Sequence, residues 1–179
     1  MKIIDRAYVE SNREEILKAI GGGKIFIYPT DTIYGLGCNA TMSNVVKKVR
    51  EIKNRDTRPL SVIAPSKEWI QKYYVVDNNV VSKYLPGPYT LIVRAKDFSP
   101  ISEVNLINDT LGVRIPKHWF TEIIQEAGVP FVTTSVNQSG EPHMQKLEDV
   151  GQEILDQVDY VIYEGRNLGV SSTKINLAE

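Results

Sequence analysis

Cysteine is almost missing from this 179-residue chain: Cys38 stands alone, which excludes an intramolecular disulfide. Histidine is nearly as scarce. With His118 and His143 as the whole supply, no Cys/His spacing suits a structural zinc site, and no metal ligand set is expected from the protein. Long apolar runs are absent too. Without 18 consecutive apolar residues or an apolar leader, the sequence predicts a cytoplasmic protein that does not use a membrane. Net charge is also small, at −1 from 21 Lys and Arg against 22 Asp and Glu, which excludes a generally basic nucleic-acid binder. The common phosphate and nucleophile signatures fail as well. "GGGK" at Gly21 to Lys24 lacks P-loop spacing and precedes a strand, "GLG" at Gly35 to Gly37 is too short for a dinucleotide fingerprint, and no GxSxG elbow occurs.

What is present is a hydrophobic content of 42%, enough for a sizeable core, and a length that suits one domain spanning 1–179. Charge is concentrated at one place. From Ser43 to Arg58 six basic residues (Lys47, Lys48, Arg50, Lys53, Arg55, Arg58) face two acids (Glu51, Asp56), a local +4 that leaves about −5 for the rest. Such a cluster calls for an anion.

Periodicity and capping signals give the organisation. A helix is expected from Ser11, with Glu14 completing a capping box and the glycines at 21–23 ending it, followed by a buried strand over Ile25 to Tyr28. Val45, Val46, Val49 and Ile52 recur at helical spacing behind Ser43, predicting a helix to Lys53 that delivers Lys53 and Arg55 to a loop. "PLSVIAPS", "YTLIVRA", "LGVRIP", "PFVTTS" and Tyr160 to Tyr163 read as further strands. Helices are expected from Ser66 to Tyr73, Asn79 to Leu85, His118 to Ala127 and near Leu147 to Leu155. This alternation predicts an α/β or mixed-sheet domain with polar loops gathered at the strand ends.

Four such loops stand out: "YPTDTIYGLGCNA", "KNRDTRP", "TTSVNQSG" and "GVSSTKINL". Each has an ordinary structural reading. Thr30, Asp31 and Thr32 can form a simple turn, the basic run can be a solvated helix end, Ser135, Asn137 and Ser139 can be hydrogen-bonding loop residues, and the histidines can be surface or cap residues.

Together and in this order, however, the loops resemble the YrdC-like family of L-threonylcarbamoyladenylate synthases in its short, single-domain form. The resemblance runs from "GGGKIFIYPTDTIYGLGCNA" through "KNR", "PLSV", "PGPYTLIV", "LGVRIPKH" and "TTSVNQSG" to "SSTKINL". It implies a YrdC-like fold, a twisted mixed parallel/antiparallel sheet flanked by helices around a concave, positively charged cleft. It further implies a nucleotidyltransferase that combines ATP, L-threonine and bicarbonate into threonylcarbamoyl-AMP and pyrophosphate. That product feeds a downstream threonylcarbamoyl transferase complex acting on tRNA. Carried over by position, Lys53, Arg55, Thr110, Ser135 and Asn137 are the expected ATP residues, and Thr32, Arg114, Thr133 and Ser172 the expected threonine residues. Mg²⁺ is expected on the triphosphate, held by phosphate oxygens and water, with Asp31 as an outer-shell candidate. No residue is singled out as a general acid or base.

The sequence also departs from the family pattern. Asp56 replaces the usual proline after the Lys-x-Arg pair, Ile63 stands where long members carry histidine, and the tail reads "SSTKINL" rather than "STVVDL", leaving closure over ATP open. A competing reading is a module that binds double-stranded RNA or tRNA through the basic segment, and a third is carbamoyl chemistry on another acceptor.

Overall fold

The computed structural model describes residues 1–179. One sheet organises the chain, in the order β1-β9-β2-β3-β8-β4-β7-β6-β10 with β5 on the rim of β6. The strands are β1 (Lys2–Ile4), β2 (Phe26–Tyr28), β3 (Gly35–Gly37), β4 (Ser61–Ile63), β5 (Tyr74–Val75), β6 (Tyr89–Ala95), β7 (Thr110–Arg114), β8 (Phe131–Ser135), β9 (Tyr160–Ile162) and β10 (Thr173–Asn176). Pairing is mixed: β1 and β2 flank β9 in parallel, whereas β2–β3–β8–β4 run antiparallel. The helices are α1 (Arg6–Ser11), α2 (Arg13–Gly21), α3 (Ser43–Ile52), α4 (Lys67–Tyr73), α5 (Asn78–Tyr84), α6 (Trp119–Ala127) and α7 (Gln152–Leu155).

Period-two alternation sorts the strand residues into two cores. Ile27, Leu36, Val62, Val113, Val132 and Val161 belong to the larger cluster, which includes side chains of α3, α4, α5 and α7. Their neighbours Phe26, Tyr28, Ile63, Phe131, Tyr160 and Ile162 belong to a smaller, aromatic cluster shared with α1, α2 and α6. Those three helices cover the β1-to-β8 end of that face. Towards β10 the same face carries Ser61, Thr90, Gly112 and Arg114 in place of large apolar groups, so nothing draws a helix over it. At Gly37 the reason for glycine is a close approach, because an added Cβ would stand 1.7 Å from the Val132 carbonyl oxygen on β8.

Several boundaries differ from the sequence expectation. Ser11 ends α1 rather than capping α2, because Asp5 already caps α1 by accepting the Tyr8 N–H at 2.8 Å. Ser43 is the first residue of α3, with Met42 at its cap position. The expected helix near Leu147 to Leu155 is a 3₁₀ turn over Leu147–Asp149 and then the short α7, divided at Val150 and Gly151. Ser66 does cap α4, accepting the Trp69 N–H at 3.0 Å, and Gly128 closes α6 in the left-handed region at φ 74°.

Candidate active site

The uncovered end of the sheet face is the floor of a cleft of about 190 Å³. Ser61 of β4, Thr90 of β6, Arg114 of β7, Thr133 and Ser135 of β8 and Lys174 of β10 contribute to it, joined by Thr32 before β3 and by Ser171 and Ser172 before β10. Three lining residues are cations, Arg55, Arg114 and Lys174, and none is a carboxylate. The tail "SSTKINL" builds one wall, since β10 lies parallel to β6 with Lys174 opposite Thr90 and with Ser172 Oγ 2.6 Å from Thr90 Oγ1. Gly169 lets this segment lie against the site, because an added Cβ would meet the Thr32 carbonyl oxygen at 2.0 Å.

The end of α3 distributes the basic residues. Asn54 adopts φ 49°, its N–H bonds Glu51 O and the Arg55 N–H bonds Arg50 O, both at 2.9 Å, which closes the helix with a left-handed residue and two reversed hydrogen bonds. This turn sends Lys53 and Arg55 to different places. The Lys53 ammonium is buried and donates to Ser135 O at 2.6 Å, to Ser135 Oγ at 3.2 Å and to Asn137 Oδ1. Burial, with the charge of Arg55 adding, pulls this ammonium down to about 8. Ser135 Oγ donates to Asn137 Oδ1 at 2.7 Å, and Asn137 Nδ2 donates to Glu141 O, so the three side chains form an internally satisfied knot.

Arg55 is half-buried on the cleft wall and nearly idle. Its one contact is a 3.4 Å bond to Thr134 Oγ1, its Nε is buried without a partner, and burial together with the charges of Arg58 and Arg50 disfavours its cation. Arg50, five residues earlier, is fully employed. Its guanidinium donates to Glu103 O and Val104 O at 2.8 Å, to Arg58 O at 2.7 Å and to Asp56 O at 3.5 Å.

On the floor, Arg114 pairs with Asp31 Oδ1 at 2.7 Å and donates to Thr32 Oγ1 at 3.0 Å, while its buried Nε has no partner. Burial pushes this guanidinium down and Asp31 pulls the other way. Asp31 Oδ2 accepts the Lys117 N–H at 2.9 Å, so both carboxylate oxygens serve the Arg114 platform.

Of the residues expected from sequence, Thr32, Arg55, Arg114, Thr133, Ser135 and Ser172 line the cleft together. Lys53 and Asn137 sit behind its wall. Thr110 shares the face of Arg114 by strand alternation but lies at the far end of β7, outside the cleft, where its hydroxyl donates to Asn108 Oδ1 at 2.6 Å. Sequence reading missed Ser61, Thr90, Ser171 and Lys174 as cleft residues; the alternation in "YTLIVRA" and "SSTKINL" was the available signal. Both histidines lie outside it, and His118 caps α6 by accepting the Phe120 N–H at 3.2 Å through Nδ1. No three His, Cys, Asp or Glu side chains converge on a metal position, and no helix is long and apolar enough to cross a membrane.

Comparison with known proteins agrees with this architecture. The Sua5/YciO/YrdC family model, described as telomere recombination, matches residues 18–179. A Methanocaldococcus jannaschii relative, provisionally named threonylcarbamoyl-AMP synthase, is 38% identical over 166 residues, 88% of this chain and 77% of its own. The Vibrio campbellii threonylcarbamoyl-AMP synthase is 30% identical over 169 residues, 87% of this chain and 90% of the relative. The crystal structure of Pyrococcus abyssi Sua5 complexed with L-threonine superposes with a TM-score of 0.85 at 28% identity, covering 100% of this chain and 55% of that one. The chain spans about half the length of the Pyrococcus abyssi and Bacillus subtilis relatives.

Proposed function

This chain belongs to the Sua5/YciO/YrdC family, and we propose that it is a threonylcarbamoyl-AMP synthase, a nucleotidyltransferase taking ATP, L-threonine and bicarbonate to threonylcarbamoyl-AMP and pyrophosphate. The observation that carries the reading is the cleft itself, lined by three cations, rich in hydroxyls and free of carboxylates. Anions are the natural occupants of such a site, and every substrate of this reaction brings negative charge.

The threonine carboxylate sits against Arg114, whose orientation Asp31 and Thr32 fix, with Thr133 and Ser172 contributing hydroxyls. The threonine amine captures the carbon of bicarbonate as a carbamate with loss of water, and a carbamate oxygen then displaces pyrophosphate at the α-phosphate of ATP. Proximity and charge neutralisation supply the rate, with Arg55 and the Ser135 edge of the knot facing the phosphates. ATP enters as its Mg²⁺ complex, the ion held by phosphate oxygens and water rather than by a protein cage. Lys53 and Asn137 hold Ser135 in place, and Thr110 marks where the nucleotide could extend along the open face. The product is an activated threonylcarbamoyl group, which a downstream transferase acting on tRNA consumes in the cytoplasm.

The RNA-binding reading loses ground because Arg50 and Lys53, two of the six residues of the basic segment, are buried and bonded internally. Pyrophosphate release from Mg-ATP is the test. Release that requires both L-threonine and bicarbonate supports the synthase; threonine-independent release or none, alongside salt-sensitive tRNA binding, overturns it.

A further inference from the structure

The charge on the amino-acid side of the cleft is smaller than it looks. Arg114 is the cation there, but Asp31 neutralises it at 2.7 Å, with the two side chains only 6% and 12% exposed. Two of its five N–H donors are spent on Asp31 and Thr32, and the Nε donor is buried without a partner. A carboxylate seated on a buried pair whose net charge is zero gains little for the cost of leaving water. Another cation is required.

Arg55 is badly placed for that role, since it contacts Thr134 on β8, and β4 and β7 come next in the sheet before β6 and β10. Lys174 is well placed. It is the register partner of Thr90, and Thr90 stands one step along the antiparallel ladder from Leu91–Val113, beside Arg114. Two strand steps, roughly 10 Å, separate the β10 and β7 backbones, a gap that a lysine side chain and a small carboxylate bridge together. Lys174 lines the cleft on the Ser172 wall and its ammonium makes no hydrogen bond or ion pair, whereas each other cation bordering the cleft already has a protein partner. We propose that Lys174 is a second carboxylate-binding residue, which supplies the net positive charge for the substrate amino acid while Arg114 and Asp31 fix its orientation. The proposal rests on the synthase reading above, with threonine seated on Arg114.

Steady-state pyrophosphate release by the wild type, Lys174→Met and Lys174→Arg tests it, with melting temperatures as a folding control. Lys174→Met should raise the KM for L-threonine about fivefold to tenfold, leave kcat and the KM for Mg-ATP within about twofold, and be partly rescued by Lys174→Arg. Competition by L-threoninol, which lacks the carboxylate, should be equally weak in wild type and Lys174→Met. An unchanged threonine KM, or a rise in the KM for Mg-ATP instead, overturns the proposal. If the wild type itself shows no threonine-dependent release, the synthase reading fails first. Calorimetric titration of L-threonine then decides on Lys174 separately: weaker binding by Lys174→Met supports the assignment, and equal binding or none by the wild type overturns it.

Discussion

Arg50 and Arg55 lie five residues apart in one basic run, yet the structure gives them opposite circumstances. Arg50 reaches under the loop that follows α3 and fills its donors with the carbonyl oxygens of Asp56, Arg58, Glu103 and Val104. Arg55 emerges into the cleft with one long bond and a buried, unpartnered Nε. A local +4 in the sequence therefore contains a structural latch and a cation with donors to spare, and hydrogen-bond saturation tells them apart where residue type cannot. By that measure Lys53 stands with Arg50, its three acceptors all protein atoms.

The strongest way to sharpen the contrast is Arg50→Ala, which strands buried carbonyl groups. Destabilisation on the order of 3 kcal/mol is expected, read as a fall in Tm of about 6 to 12 °C. Arg55→Ala should do the reverse, lowering threonine- and bicarbonate-dependent turnover at least about a hundredfold while Tm moves by no more than about 2 °C. A large Tm loss there, with turnover retained, would break the comparison. Lys53→Met is intermediate, with turnover down about tenfold through the loosened Ser135 and Asn137.

Lys53 also carries a pH signature. Its ammonium titrates near 8 in the folded chain against 10.5 for the ordinary group, so between these values the unfolded chain binds more protons and the Lys53 contribution to stability rises with pH. Denaturant melts of wild type minus Lys53→Met should show that rise between about pH 8 and pH 10.5 and no slope below it. The smallest effect belongs to Lys47 and Lys48, which are exposed on α3. Replacing both by Gln should leave turnover unchanged and stability within about 0.5 kcal/mol.

Much of this was legible in the sequence, for local reasons. Val45, Val46, Val49 and Ile52 announced α3, Ser66 announced the α4 cap, and the ordered loops brought Thr32, Arg114, Thr133 and Ser172 into one site. The illegible parts depend on distant partners. Lys2–Ile4 is too short to declare itself a strand and exists because β9 pairs with it, while Ser11 and Glu14 imitate a capping box inside a helix pair whose first cap is Asp5. Lys174 joins the cleft only through the pairing of β10 with β6, and the latch role of Arg50 depends on carbonyl groups more than fifty residues away.

Unfilled donors should mark the phosphate site, and the most direct measurement of that is calorimetric titration of Mg-ATP into wild type, Arg55→Ala and a folded conservative latch variant, Arg50→Lys. Binding weakened at least about tenfold by Arg55→Ala, with Arg50→Lys close to wild type, is the predicted result. Equal binding by wild type and Arg55→Ala would contradict it.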